Sequence, residues 1–396
     1  MHTLRPYERF RPNGTVTWDE YFVHQPKFYD KFFPDSTLIL SDWHINGQNE
    51  DSWKQFVETV ETFIRSNNIN TVVVDTTLNP LDTNRRPTPT QMQKDLSTLC
   101  VCYWLTPDFS YWYNPKPGFI FFPYFLWIYA TRNIQRYFNR DTVWEDQFAQ
   151  DTVYDTKLSK TKALMCLNRN TQWHRIYLFS LIAQRSWMNK IEYSFLNKVP
   201  KEFASSFVVN QYLDAKDFAC VESVQDLLPI QLREESMIEN HLIPTQYMRG
   251  AGSVGKSVYA DCAINFVTET SLTEGIILTE KTAKPFMAYQ IPIILGPRGT
   301  NKFLQDLGLD MFEDFVPWHR WDNEQDHKKK IGMLVDFVDS IMTPPNAEQQ
   351  ILTIHQKFHQ RLLKNKQYFH SKEFENVLLD QLQTHAGKSS IAKATI

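Results

Sequence analysis

The chain has 396 residues, of which 42% are hydrophobic, 14% aromatic and 22% charged, with a formal net charge of −3. That length exceeds one ordinary core, since domains cluster at about 100–200 residues, and the composition excludes a disordered or low-complexity chain. The small negative charge excludes a global positive field that drives unspecific nucleic-acid binding, and leaves only a local basic groove open.

Residues 1–36 are rich in aromatics and prolines without a clean period and are expected to form an irregular segment packed on the first domain. The opening Met1-His2-Thr3-Leu4-Arg5-Pro6 has no apolar core or small-residue cleavage pattern, so neither signal peptide nor anchor is expected. The longest apolar stretch, Phe119 to Ala130, is interrupted by Pro123, Tyr124 and Trp127 and falls short of the ~20 residues that span a bilayer. A cytoplasmic protein is expected, with its 5 cysteines reduced and structural.

Thr37 to Ser41 reads as a strand ending in Asp42-Trp43-His44. From Ser52, the residues Trp53, Phe56, Val57, Val60, Phe63 and Ile64 recur at helical spacing, and Thr71 to Val74 is a second β-branched run ending in Asp75. Strand, helix, strand is the signature of a parallel sheet, and Leu96 to Trp104 and Gly118 to Pro123 read as further strands. Ligands collect at the carboxyl ends of such strands, where Asp42, His44 and Asp75 lie.

Between Asp141 and Lys160 the chain turns polar, and the hinge to a second domain is expected there. The alternation then restarts. Lys162 to Leu167, Ile264 to Val267 and Ile291 to Gly296 read as strands, and Trp173 to Arg185, Thr282 to Tyr289 and Thr300 to Leu307 as helices. After Pro344-Pro345, the residues Ile351, Ile354, Phe358, Leu362 and Phe369 mark an amphipathic helix, and Ser371 caps a second one carrying Phe374, Val377, Leu378 and Leu382. The expected organisation is α/β: a first Rossmann-like domain over 37–155, a second over 156–345, and a helical tail over 346–396 that crosses back to the first.

The stretch from Phe266 to Gly308 carries most of the chemistry. It places Thr279-Glu280-Lys281 at a helix start, where free N–H groups and the helix dipole favour an anion. Lys281 adds a charge, and Glu280 can accept two ribose hydroxyls. The plain alternative is a Thr279 cap followed by a solvated first turn. In CLNRNTQWHR, a strand ends in Asn168 and Arg169 and a helix opens near Trp173-His174-Arg175, bringing two guanidinium groups to one edge. His174 alone reads as a packing or surface histidine.

The stretch around Glu269, Thr279, Glu280, Lys281 and the run Ile291 to Gly296 resembles the donor-binding region of the α-1,3-fucosyltransferases, and looks like related glycosyltransferases of bacteriophages. The resemblance covers roughly 162 to 320. It implies a GT-B fold of two facing Rossmann-like domains and transfer of a sugar from a nucleotide-sugar donor. Glu280 is then implied on the ribose and Lys281 on the diphosphate. Asn168 and Arg175, with Arg169 next, stand where those enzymes carry an Asn and a downstream Arg. The tyrosine that usually precedes the motif is replaced by Ile277 or Leu278.

The rival motif is Gly250-Ala251-Gly252-Ser253-Val254-Gly255-Lys256-Ser257, which fits the phosphate-loop pattern of ATPases and kinases. Its flanks argue against it: Val258 to Val267 reads as extended, and no clean strand precedes it. His355 and His359 lack the Glu of a zinc protease and read as surface residues. No Asp-x-Asp occurs, so no essential metal or other cofactor is expected. The expected general base comes from the first domain: Asp42 first, Asp75 second, His44 third. The acceptor is left open between a glycan, a protein and a hydroxymethylated base of phage DNA, which would place the protein in the host cytoplasm. The Arg85-Arg86 and Lys328 to Lys330 clusters are the candidate phosphate contacts for DNA. A non-catalytic GT-B-like binding protein is the remaining alternative.

Overall fold

A computed structural model describes residues 37–41, 50–75, 87–106, 108–123, 158–168, 171–196, 212–232, 257–272 and 278–392, with Phe32, Leu126, Trp127, Ala130 and Lys198 besides. The fold is α/β, with two all-parallel sheets. The chain falls into two units: Met1–Arg140 with Gly275–Ile277 and Glu375–Ile396, and Asp141–Glu274 with Leu278–Phe374. Among the described residues no helix is long and apolar enough to cross a membrane.

The first unit runs β1 (Thr37–Ser41), α1 (Glu50–Asn67), β2 (Thr71–Asp75), α2 (Pro89–Ser97), β3 (Val101–Thr106), α3 (Ser110–Tyr113) and β4 (Phe119–Phe121). Its sheet order is β1-β2-β3-β4. Strand side chains alternate between faces, and Leu38, Leu40, Val72, Val74, Cys102, Trp104 and Phe119 form one core cluster. Against them pack Trp53, Phe56, Val60, Phe63 and Ile64 of α1 and Met92 and Leu96 of α2. Both helices therefore cover one face. Trp53 Nε1 donates to Asp95 Oδ2 at 2.9 Å and ties α1 to α2.

The strand expected over Leu96 to Trp104 begins only at Val101. Thr88 caps α2 by accepting from Gln91 N, and Pro89 supplies a preset first helical φ, so Met92 and Leu96 are buried one turn apart on a helix.

The second unit begins with β5 (Lys162–Asn168), α4 (Trp173–Ile182), β6 (Glu192–Phe195), α5 (Ala215–Glu222), α6 (Ser257–Asp261) and β7 (Cys262–Thr268). It continues with α7 (Glu280–Met287), β8 (Ile291–Leu295), α8 (Thr300–Asp306), α9 (His319–Asp322), α10 (His327–Met342), α11 (Ala347–Lys357) and α12 (His359–Phe369). Every residue of β7 and β8 is buried, as expected of parallel strands covered on both faces. Pro292 is tolerated because β8 lies at the sheet edge. Reading by apolar period missed β6, α5 and α10.

Two further expectations are corrected. Val258 to Val267 is not extended throughout, since Ser257–Asp261 forms α6. Lys160 Nζ stabilises that turn by donating to the carbonyls of Tyr259 at 3.0 Å and Ala260 at 2.9 Å. The single helix expected across Ile351 to Phe369 breaks at Phe358, whose backbone (φ −87°, ψ 3°) separates α11 from α12.

Both of those helices belong to the second unit, although the tail was expected to start at residue 346. His355 Nε2–H of α11 donates to the Tyr289 carbonyl at 2.8 Å, and Tyr368 Oη of α12 donates to the Leu307 carbonyl at 2.8 Å. The last helix, α13 (Lys372–Ala392), joins the first unit from Glu375 on. Ser371 Oγ accepts from Phe374 N at its start. Gln381 Oε1 accepts from Phe121 N at 2.8 Å, on the last residue of β4.

Candidate functional site

The two sheets differ in strand order. The first advances in a single direction across its four strands. In the second, the order β6-β5-β7-β8 means that the chain leaves β5 for one flank and returns to the other. In open α/β sheets ligands collect at such a reversal, at the carboxyl ends of the central pair, which here are β5 and β7. Their last register pair is Met165↔Asn265, although both strands run on. Beyond it Thr268 Oγ1 donates to Asn168 Oδ1, side chain to side chain.

Glu269 follows β7 and is fully buried. Its Oε1 accepts from Thr279 N at 3.0 Å and from the Thr282 hydroxyl, and its Oε2 from Thr279 Oγ1 at 2.7 Å and Thr270 N at 3.2 Å. A carboxylate has about four lone-pair sites, and this one is filled from within the protein. It thereby fixes the first turn of α7 to the end of β7.

That turn carries the charged pair. Thr279 is the N-cap, with its hydroxyl oxygen accepting from Lys281 N at 3.4 Å. Lys281 Nζ donates to Glu280 Oε1 at 2.8 Å and to Thr279 Oγ1 at 3.3 Å. Burial pushes the Glu280 carboxyl up, but the Lys281 and Lys284 ammonium groups outweigh it and hold the acid below its usual range. A carboxylate and an ammonium thus stand side by side at a helix N-terminus, at the carboxyl end of β7.

Arg175 and His174 open α4, and both are buried. Arg175 Nη2 donates to the carbonyls of Thr268 at 3.0 Å and Glu269 at 3.1 Å. The Glu269 carbonyl also accepts from His174 Nε2–H at 2.9 Å, which fixes that tautomer. Burial, with the Arg175 charge adding to it, pushes the imidazole down to about 3, so His174 is neutral. These bonds of Arg175 hold the end of β7 in place.

The structure therefore brings together Asn168, Arg175, Glu269, Thr279, Glu280 and Lys281 at one end of one sheet. Thr282 was missed, although its spacing of three from Thr279 on a helix start was a readable signal. Asp42, His44 and Arg169 lie outside the described residues, as do Arg85 and Arg86. Asp75 ends β2, paired in register with Ser41 and Leu105; its side chain lies outside the described residues.

The stretch Gly250 to Lys256 also lies outside them. The helix opened by Ser257 runs for 5 residues and delivers the chain to the amino end of β7. A phosphate loop instead leaves a strand at its carboxyl end.

Of the lysine run named as candidate phosphate contacts for DNA, Lys330 is corrected, because it is buried. Lys328 is held by Asp214 at 2.9 Å and Asp217 at 2.7 Å, Lys329 by Glu324 at 2.6 Å, and Lys330 is buried, donating to the Gly296 carbonyl at 2.9 Å. His355, expected at the surface, is buried, because its ring N–H satisfies the Tyr289 carbonyl.

The class these observations define is an α/β protein with parallel sheets and a polar cluster at the reversal point of the second. Comparison with protein-family models, with curated proteins and with solved structures gave no match to this chain.

Proposed function

We propose that this chain is a GT-B glycosyltransferase that holds a nucleotide-sugar donor at the carboxyl end of the second sheet. The observation that carries the reading is the Glu280–Lys281 pair at the start of α7, set at the carboxyl end of β7 by Glu269. Lys281 and the α7 N-terminus take the charge of the leaving diphosphate, and Glu280 accepts the ribose hydroxyls. Arg175 acts by fixing the end of β7. With no Asp-x-Asp in the sequence, the leaving group is stabilised without an essential metal.

In the transfer, a base of the first unit takes the proton of the acceptor hydroxyl as its oxygen bonds to the anomeric carbon and the bond to the diphosphate breaks. Asp42 is the first choice for that base, then Asp75, then His44. The acceptor is a glycan or a hydroxymethylated base of DNA.

The test is a panel of nucleotide sugars, read by melting temperature and by release of free sugar. One donor is expected to stabilise the fold, since a ligand at about 100 times its Kd adds about 2.7 kcal/mol. That donor is also expected to be slowly hydrolysed. A panel that neither stabilises the chain nor is hydrolysed overturns the proposal.

A further inference from the structure

On the same turn of α4, two residues before Arg175, Trp173 packs against the lining of a cavity. Its ring stacks on Tyr212 at 4.4 Å with 7° between planes, and His327 lies 5.9 Å from Trp173 and 5.5 Å from Tyr212. Tyr212, Leu213 and Asp214 on one side and Asp326, His327 and Lys328 on the other line a cavity of ≈ 530 Å³. Cavities that hold small molecules run to about 300–1,000 Å³.

The charges of this wall disfavour an anion. Asp214 caps α5 by accepting from Lys216 N at 2.9 Å and Asp217 N at 3.1 Å, and Asp326 caps α10 by accepting from Lys328 N at 2.9 Å and Lys329 N at 3.1 Å. Both helix ends therefore already face a carboxylate. The ammonium of Lys328 is engaged by Asp214 and Asp217. Tyr212, on which Trp173 stacks, and His327 are the aromatic rings that line the cavity. Aromatic surface beside carboxylate oxygens suits a flat ring that donates hydrogen bonds.

We propose that this cavity takes a nitrogen heteroaromatic ring bearing an amino group, a purine or a cytosine-type base, and does not take phosphate. The assignment of that base to the sugar donor rests on the glycosyltransferase reading, with Trp173, stacked on Tyr212, and Arg175, bonded to the end of β7, on one turn of α4.

Calorimetric titration of the full chain with adenosine, guanosine, cytidine, uridine and inorganic pyrophosphate tests it. An amino-bearing nucleoside is expected to bind. Tyr212→Ala weakens it about 5- to 150-fold, the range for loss of one base–aromatic stack, while Tyr212→Phe leaves it unchanged. Pyrophosphate affinity is expected to be the same in all three proteins. Should Tyr212→Ala melt early, His327→Ala is the second variant, with the same loss expected.

Absence of binding by every amino-bearing nucleoside, tighter binding of uridine than of all three, or unchanged affinity in a folded Tyr212→Ala overturns the proposal. If nucleosides fail while a nucleotide sugar binds in a Lys281-dependent way, the cavity assignment falls and the transferase reading stands. If nucleosides bind through Tyr212 and no nucleotide sugar is bound, the cavity assignment stands and the transferase reading falls.

Discussion

Glu269 holds Thr279 by both of its polar groups, accepting from the backbone N–H at 3.0 Å and from the hydroxyl at 2.7 Å. The end of β7 and the start of α7 are thus one rigid corner, and the charged pair that follows inherits its position from a residue ten positions before Thr279. Glu269→Gln puts an amide NH₂ where the carboxylate accepts from N–H and hydroxyl donors, leaving buried donors unsatisfied. The expected loss is about 1–3 kcal/mol in a urea titration. Glu280→Gln, with the side chain at the edge of the corner, is expected to lose less. Equal stability of Glu269→Gln and the parent chain would show that the corner is held by other contacts.

This corner also shows what the sequence made legible. Thr279 at a helix start was readable because caps obey local chemistry, and the strands other than β6 were readable from short apolar runs. The strand order was not, because reversal at β5 is a property of pairing rather than of any one strand. Nor was the burial of Arg175, His174 and His355, whose partners are backbone carbonyls and leave no mark in residue type. Helix α10 was missed because its first turn, His327-Lys328-Lys329-Lys330, reads as a basic surface run, whereas Lys330 is buried and Lys328 and Lys329 are paired.

Acid should destabilise the fold through His174 and His355, the buried imidazoles among the described residues. Burial pushes His174 down to about 3 and His355 down to about 4, both from an ordinary 6.5. Below that ordinary value the unfolded chain takes up protons that the folded chain excludes. The stability is therefore full above about pH 6.5 and declines as pH falls toward 4, by at most about 1.4 kcal/mol per pH unit for each histidine. Urea titrations at about pH 7 and about pH 5 measure it, and His355→Gln, which keeps an N–H for Tyr289, is expected to reduce the difference.

Two glycines give opposite signs. Gly308 has φ +92°, and a Cβ there would stand 2.7 Å from Tyr368 Oη, which donates to the neighbouring Leu307 carbonyl. Gly308→Ala is expected to cost about 1–3 kcal/mol. Gly332, within α10, has nothing within 4 Å of a built Cβ. Gly332→Ala is expected to stabilise by about 0.5–1 kcal/mol, read by melting temperature. A destabilised Gly332→Ala would contradict the open space beside that turn.

On the proposed division of labour, Asp42→Asn removes proton acceptance while keeping shape. Turnover is expected to fall about 10²–10⁴-fold with donor affinity unchanged. Glu280→Gln is expected to weaken the donor by loosening the ribose contact, and Asp75→Asn compares the two strand-end carboxylates. Loss of donor affinity in Asp42→Asn as large as in Glu280→Gln would place both residues on one ligand and end the division.

The central claim is that the start of α7 binds a diphosphate. Calorimetric titration of nucleoside diphosphates into the parent chain, Lys281→Ala and Lys256→Ala measures it. The account predicts binding to the parent chain, a loss of about tenfold or more in Lys281→Ala, and no change in Lys256→Ala. Unchanged affinity in Lys281→Ala, or a loss confined to Lys256→Ala, would contradict it.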